Sequence, residues 1–258
     1  MSTKELPPKP IEVSKSEQTL VSHLIELRSR LIKSVLAIFL LFLALFPFSQ
    51  EIFTLVANPL MSQLPDNATM IATQVASPFI TPFKTTFYVA LFLAMPIIIY
   101  QIWRFVAPGL YKNEQSFAFP LLCSSIFLFY MGIVFAYYVV FPLMFSFFAS
   151  AAPEGVTMMT DIGAYLDFII GLFFAFGIAF EVPIATVLLV LTGLVSTDKL
   201  KSIRPYVFLG AFVAGMFLTP PDAISQTLLA IPIYILYEVG IALSSMMKKK
   251  KLGEKTDE

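Results

Sequence analysis

Apolar residues along this chain come in long blocks separated by short polar segments. Residues 1–14 are polar and carry Pro7, Pro8 and Pro10, which reads as a disordered leader. Ser14 followed by Glu17 fits a capping box at a helix start. Leu20, Leu24, Leu27 and Leu31 then recur at helical spacing, opposite His23, Glu26 and Arg30. That spacing predicts an amphipathic helix lying on a membrane surface. It runs through Arg28, Arg30 and Lys33 into an apolar stretch, 34–48, the order found in a signal peptide. No small-residue cleavage site follows, so the stretch is read as a retained first span.

A loop over 49–82 comes next, rich in proline and longer than a mere connector needs. Further apolar blocks predict spans at 87–106, 121–141, 168–192, 206–219 and 223–247, after a first at 31–48. The second is expected to be broken by Pro96, with Tyr100, Trp103 and Tyr111 gathered at its end as interfacial aromatics. The fifth is short. Only residues 206–219 lie between Arg204-Pro205 and Pro220-Pro221. At 1.5 Å per residue they reach roughly 21 Å, against roughly 30 Å of hydrocarbon. The sixth is also expected to be short in its apolar part. The expected fold is an all-α membrane protein with six transmembrane helices: a leader (1–16), a six-span domain (17–247) and a basic tail (248–258).

Composition agrees with a membrane class. Of 258 residues, 58% are hydrophobic and 13% charged, about half the charge of a soluble domain, and 27 are Phe. Mean hydropathy is +0.83. These figures exclude a soluble enzyme, a nucleic-acid-binding module and a disordered chain. The formal net charge is zero, with 17 basic and 17 acidic residues, but the signs are sorted. Sixteen of the 17 basic residues fall on the N-terminal side, in the 2–3 and 4–5 loops or in the tail, and Lys84 alone falls opposite. The positive-inside rule then puts both termini in the cytoplasm. One cysteine (Cys123) and one histidine (His23) leave no disulfide and no ordinary metal site, and no phosphate-binding glycine loop is present. No cofactor or metal is expected.

Few residues can carry chemistry. Glu181 sits near the middle of the fourth span, where a carboxylate is costly and marks a functional site by default. The alternative is a carboxyl packed against a neighbouring helix. Pro183, two residues on, frees a backbone carbonyl one turn back. Glu238, nearer the basic end of the sixth span, is read as structural and expected to reach toward the lysine tail. Glu26 and Glu114 lie among basic residues, where a carboxylate pair can hold a partner's arginines bidentately. Spacing alone favours a plainer account: Glu26 is four residues before Arg30, an ordinary helix ion pair, and Glu114 can pair with Lys112. Thr219-Pro220-Pro221-Asp222 reads as a helix stop followed by an N-cap. Lys248 to Lys251 read as a headgroup anchor.

Together five motifs resemble the TatC family, the multispanning subunit of the twin-arginine protein translocase. They are His23-Leu24-Ile25-Glu26-Leu27-Arg28, Ala76-Ser77-Pro78-Phe79, Ala107 through Glu114 (APGLYKNE), Phe180-Glu181-Val182-Pro183 and Leu218-Thr219-Pro220-Pro221-Asp222. The resemblance covers about residues 17–247. It implies a glove-shaped bundle with a concave face, in the bacterial cytoplasmic (inner) membrane. It implies recognition of signal peptides bearing consecutive arginines, with the two acidic binding positions falling on Glu26 and Glu114, and with Arg28 and Phe105 beside them. The family's intramembrane polar position falls on Glu181, its turn on Pro220 and Asp222, and a partner-contact position on Gln226. Implied partners are TatA- and TatB-type single-span subunits, the signal peptides of folded cargo proteins, lipid, and further copies of the chain in a receptor complex. Transport is driven by the proton motive force, and the chain is not an enzyme. The competing reading is a proton- or cation-coupled small-solute transporter using Glu181. Such folds usually show internal repeats and paired broken helices, and no convincing repeat is visible here. An intramembrane enzyme would need a nucleophile–base pair or two intramembrane aspartates, and neither is present.

Overall fold

The structure, a computed structural model, describes residues 15–61, 70–106, 118–151, 159–218 and 223–254, with side chains from Leu24 to Met247 apart from those at 59, 60, 106, 118 and 218. The described residues form helices in the order α1 (Lys15–Leu45), α2 (Ser49–Met61), α3 (Ser77–Val106), α4 (Ala118–Phe135), α5 (Phe141–Ala151), α6 (Ile162–Ala179), α7 (Val182–Leu191), α8 (Thr197–Ser202), α9 (Arg204–Leu218) and α10 (Ala223–Glu254). Five stretches are long and apolar enough to cross a membrane: Leu24–Asn58, Ser77–Phe105, Phe119–Ala151, Ile162–Leu191 and Ala223–Met247. Arg204–Phe217 is a shorter apolar helix, whereas the sixth span, expected to be short, is of spanning length at Ala223–Met247 because its polar opening residues fit within the same helix.

Several boundaries differ from the sequence expectation. The amphipathic segment is not a separate surface helix, because α1 runs unbroken from Lys15 into the apolar stretch. Its Leu24, Ile25, Leu31, Leu36 and Leu40 are all more than half exposed, so α1 offers a broad apolar surface to lipid or a partner. Part of the expected loop is helical: α2 forms after a single turn at Phe46–Phe48, and α3 starts at Ser77. Of α2, Ala57 is buried, and Phe53 and Val56 pack against the main apolar core.

Pro96 does not break α3. A proline lacks the amide that would bond the carbonyl four residues back, here that of Phe92. The Tyr130 hydroxyl of α4 donates to that carbonyl at 3.0 Å. With the freed acceptor satisfied, the helix continues. Pro142 acts differently. Ahead of it the turn widens into a π segment, Ala136–Val140, closed by the Phe141 amide on the Ala136 carbonyl. The wide turn admits the proline ring and carries the helix on into α5. The core around this segment joins Met144, Tyr165, Leu172 and Phe176 with Leu229 of α10. Here α4 crosses α6 at Gly132, where a Cβ would stand 2.4 Å from the Phe176 carbonyl oxygen. Only glycine permits so close a crossing.

At one end of the bundle the segments before α3 and α6 are clasped together. Ile71 and Asp161 form a parallel bridge, with the Ile71 amide on Thr160 O at 3.0 Å and the Ile162 amide on Ile71 O at 2.9 Å. The Asp161 carboxylate caps α6 through the amides of Gly163 and Ala164 at 2.9 and 3.0 Å. Its other oxygen accepts from the Thr73 amide at 2.9 Å and hydroxyl at 2.7 Å. These donors, the Thr73 amide foremost, lower the carboxyl from 3.8 to about 2. A carboxylate lowered on folding stabilises the fold fully above its unfolded value, and that contribution fades as pH falls through the folded value. The purified protein is therefore predicted to lose thermal stability between about pH 4 and pH 2 by an increment that an Asp161→Asn variant lacks, with no such difference in slope between pH 5 and 7. Thermal unfolding scans of both proteins across that range check this.

Beside the clasp, Lys84 of α3 pairs with Asp167 of α6, which places the lone basic residue of this end in an ion pair. At the other end Glu238 of α10 pairs with Arg204 of α9 at 2.6 Å, and the Tyr237 hydroxyl donates to Leu200 O at 2.7 Å. Glu238 thus ties the short helix to α10. Its described partner is Arg204 and not the lysine tail, whose side chains lie outside the description.

Candidate functional site: two carboxylates on either side of α3

Glu181 lies where the fourth apolar stretch breaks in two. Pro183 cannot donate to the Ala179 carbonyl, and its ring crowds that turn. So α6 ends at Ala179, and the Glu181 amide tightens onto Ile178 O at 3.0 Å. Helical bonding resumes with the Ala185 amide on Glu181 O at 2.9 Å. The break turns the carboxylate toward α4, where one oxygen accepts from the Ser125 hydroxyl. The other oxygen is buried and has no hydrogen-bond partner among the described residues. Burying a polar atom unpaired is costly. The carboxyl opens onto a cavity of about 240 Å³ walled by Ile99, Ile102 and Trp103 of α3 and by Ile184, Ala185 and Leu188 of α7. An otherwise apolar cavity with the Glu181–Ser125 pair on its wall suits an apolar helix or segment carrying a single polar residue.

Glu26 sits on α1, where Arg30 is its ion-pair partner one turn on. The Arg30 Nε donates to the same carboxylate oxygen at 3.2 Å, and a terminal guanidinium nitrogen adds a second bond. The Arg30 side chain is only 15% exposed and that of Glu26 37%. The guanidinium is held because its stem lies in a groove of about 300 Å³ between α1 and α3. Leu27, Leu31, Val35 and Ile38 wall the groove on one side, and Ile98, Ile102 and Phe105 on the other. Phe105 and the Glu26–Arg30 pair thus meet at one mouth. Arg28 is exposed and is not part of that wall. Ile102 lines both spaces, so a single α3 side chain divides the Glu26 side from the Glu181 side.

Not every expected residue is described. Glu114, Pro220 and Asp222 lie outside the described residues. Gln226 is half-buried on α10 at its contact with α9, where a Cβ on Gly215 would stand 3.5 Å from its Cα. It therefore sits in the joint between the last two helices, away from both carboxylates' cavities. Among the described residues no cluster of three or more His, Cys, Asp or Glu is placed to hold a metal ion. Sequence reasoning missed Ser125 and Trp103 as neighbours of Glu181. A serine in an otherwise apolar span was the available signal for the first.

Comparison with known proteins agrees with this architecture. Residues 22–232 match the family model described as TatC, Sec-independent protein translocase protein. The chain is similar to the Sec-independent protein translocase protein TatC of Azotobacter chroococcum mcd 1, at 57% identity over 92% of this chain and 93% of the relative. It is similar to that of Escherichia coli K12 at 56%, over 88% of each chain. A crystal structure of the twin-arginine translocase receptor TatC superposes with a TM-score of 0.78 at 36% identity, covering 87% of this chain and 98% of that one.

Proposed function

Because the chain belongs to the TatC family of Sec-independent protein translocase proteins, we propose that it is the subunit that receives twin-arginine signal peptides on its basic face. The family is one of translocase components and not of catalytic enzymes, so its residues bind and position and make no covalent step. The observation that carries this reading is the Glu26–Arg30 pair. Glu26 already holds a guanidinium in a partly desolvated site beside Phe105. A carboxylate in that setting is suited to an incoming arginine, whose fork matches it better than a lysine's point charge.

In this reading one signal arginine replaces Arg30 on Glu26 and the next docks on Glu114, with Arg28 and Phe105 at the rim. The basic face is cytoplasmic, both termini are cytoplasmic, and the membrane is the bacterial inner membrane. The signal's apolar segment then lies on a concave face where the Glu181 cavity opens. The unpaired Glu181 oxygen supplies a hydrogen bond to a polar residue of the signal or of a partner helix. TatA- and TatB-type single-span subunits are the partners, with several copies of this chain in the receptor complex. Export of folded cargo draws on the proton motive force. The helix Arg204–Leu218 reaches only about 22 Å at 1.5 Å per residue, and as the fifth of six spans it would thin the bilayer beside it.

Testing Glu181 separates its role from packing. Glu181→Ala is predicted to slow export of a folded reporter about tenfold, the scale of one lost intramembrane hydrogen bond, while the purified variant still unfolds cooperatively. Glu181→Gln is predicted to retain part of the rate. An alanine variant exporting at the normal rate returns Glu181 to a packing role.

A further inference from the structure

The groove between α1 and α3 has a feature that the signal-peptide reading leaves unused. Its α1 wall is a single stripe, Leu27, Arg30, Leu31, Val35 and Ile38, with eleven residue steps from first to last. At 1.5 Å per residue this is roughly 16 Å, the depth of one leaflet of a hydrocarbon core of roughly 30 Å. Below the mouth its walls are apolar but for Ser34 and Gln101, and the Ser34 hydroxyl is already bonded to Arg30 O at 3.2 Å. The neighbouring α1 surface is apolar and open: Ile32, Leu36 and Phe39 are each more than half exposed.

Charge distinguishes the mouth. On a helix with 100° per residue, Arg28 falls about 20° beyond the Val35 edge of the stripe, whereas Lys33 falls about 60° beyond the Arg30 edge, on the side of α1 turned away from the groove. Both are exposed. Arg104, exposed at the end of α3 beside Phe105, adds a further cation. Glu26, the acid at this mouth, is ion-paired to Arg30. Long basic side chains reach along apolar surface to the headgroup level.

We propose that this groove holds an acyl chain of an anionic phospholipid, with the phosphate at the mouth beside Arg28. One leaflet of depth, apolar walls and a cationic mouth match a lipid of that charge. A spanning peptide segment would need twice the length. The bound lipid fills the space beside Ile102 and so forms part of the wall of the Glu181 path.

The test uses the full chain in nanodiscs of phosphatidylethanolamine and phosphatidylglycerol. A trace of either phosphatidylglycerol or phosphatidylcholine carries a photoreactive group in one acyl chain, and labelled peptides are mapped. Phosphatidylglycerol is expected to label residues 31–38 and 98–102 in preference to phosphatidylcholine, with Arg28 contributing about fivefold. Arg28→Gln is expected to lower that preference about fivefold. Val35→Trp, which fills the groove, is expected to remove the labels from Ile38 and Ile98 for both lipids. Equal labelling by the two lipids in the unaltered protein overturns the proposal, as does labelling that Val35→Trp leaves in place. A twin-arginine peptide with a photoreactive apolar segment that labels Val35 to Ile38 and expels the lipid also overturns it, and assigns the groove to the peptide.

Discussion

Glu26→Gln is expected to weaken binding of a twin-arginine signal peptide by about ten- to a hundredfold. A hydrogen bond to a charged group contributes about 1.5–3 kcal/mol net, and glutamine keeps the shape while losing the charge and the second acceptor oxygen. The site is partly desolvated, so the loss is larger than for an open surface pair. The same pair predicts an opposite effect at Arg30. In the free receptor Arg30 occupies the carboxylate, and any incoming cation must first displace it. Arg30→Gln is expected to tighten binding of twin-arginine and twin-lysine peptides alike, by about two- to fivefold, since the displaced pair costs the same in both cases. The ratio between the two peptides is expected to stay constant. Fluorescence titration of labelled peptides against the protein in nanodiscs measures both effects. A weaker twin-arginine affinity in Arg30→Gln would instead make Arg30 part of the peptide's contact.

Gly240→Ala is expected to be among the most destabilising single-methyl additions in the protein. The added Cβ would stand 2.1 Å from Thr186 Oγ1 and 2.9 Å from Pro183 Cα. Thr186 is buried and its hydroxyl is bonded to Pro183 O at 2.8 Å, so it has little room to turn away. The Pro183 backbone cannot yield without moving α7. Overpacking of this kind costs about 1–3 kcal/mol, equivalent to about 3–10 °C in a chain of this size. Thr186→Gly in the same chain is expected to recover part of the loss, leaving the Pro183 clash. The displaced α7 carries the turn that holds Glu181, so a reporter's export rate is expected to fall with the stability. A thermal unfolding midpoint unchanged by Gly240→Ala would refute the close α7–α10 crossing.

Most of the architecture was legible because its signals are long. Blocks of apolar residues near 20 depend on no single contact. Proline was the less readable residue. Pro96 and Pro183 look alike in sequence, each inside an apolar block, yet α3 continues through the first and the helix breaks at the second. At Pro96 another helix contributes, since Tyr130 donates to the carbonyl that the proline frees, and such a pairing across helices is invisible to local reasoning. The extra helix α2 was hidden for a related reason, since Phe53, Val56 and Ala57 gain their burial from residues far along the chain.

The carboxylates were legible as exceptions to a pattern, acids on the basic side or inside an apolar block. Their surroundings were not. Ser125 reaches Glu181 across 56 positions of sequence, and the position of Ile102 between the two cavities follows from helix packing. The Glu26–Arg30 pair was predictable from its spacing. Its meaning was not, because the same spacing describes any ordinary surface pair, and only the low exposure of Arg30 in the α1–α3 groove distinguishes it.

The central claim is that Glu26 and Glu114 read the two arginines. It is tested most directly by photo-crosslinking a signal peptide to the protein in membranes, with arginine or lysine pairs in the peptide and with Glu26→Ala, Glu114→Ala or both in the receptor. The account predicts strong crosslinking of the twin-arginine peptide to the unaltered protein, a large drop in each single variant, and no remaining advantage of arginine over lysine in the double variant. Undiminished crosslinking of the twin-arginine peptide in both single variants would contradict it.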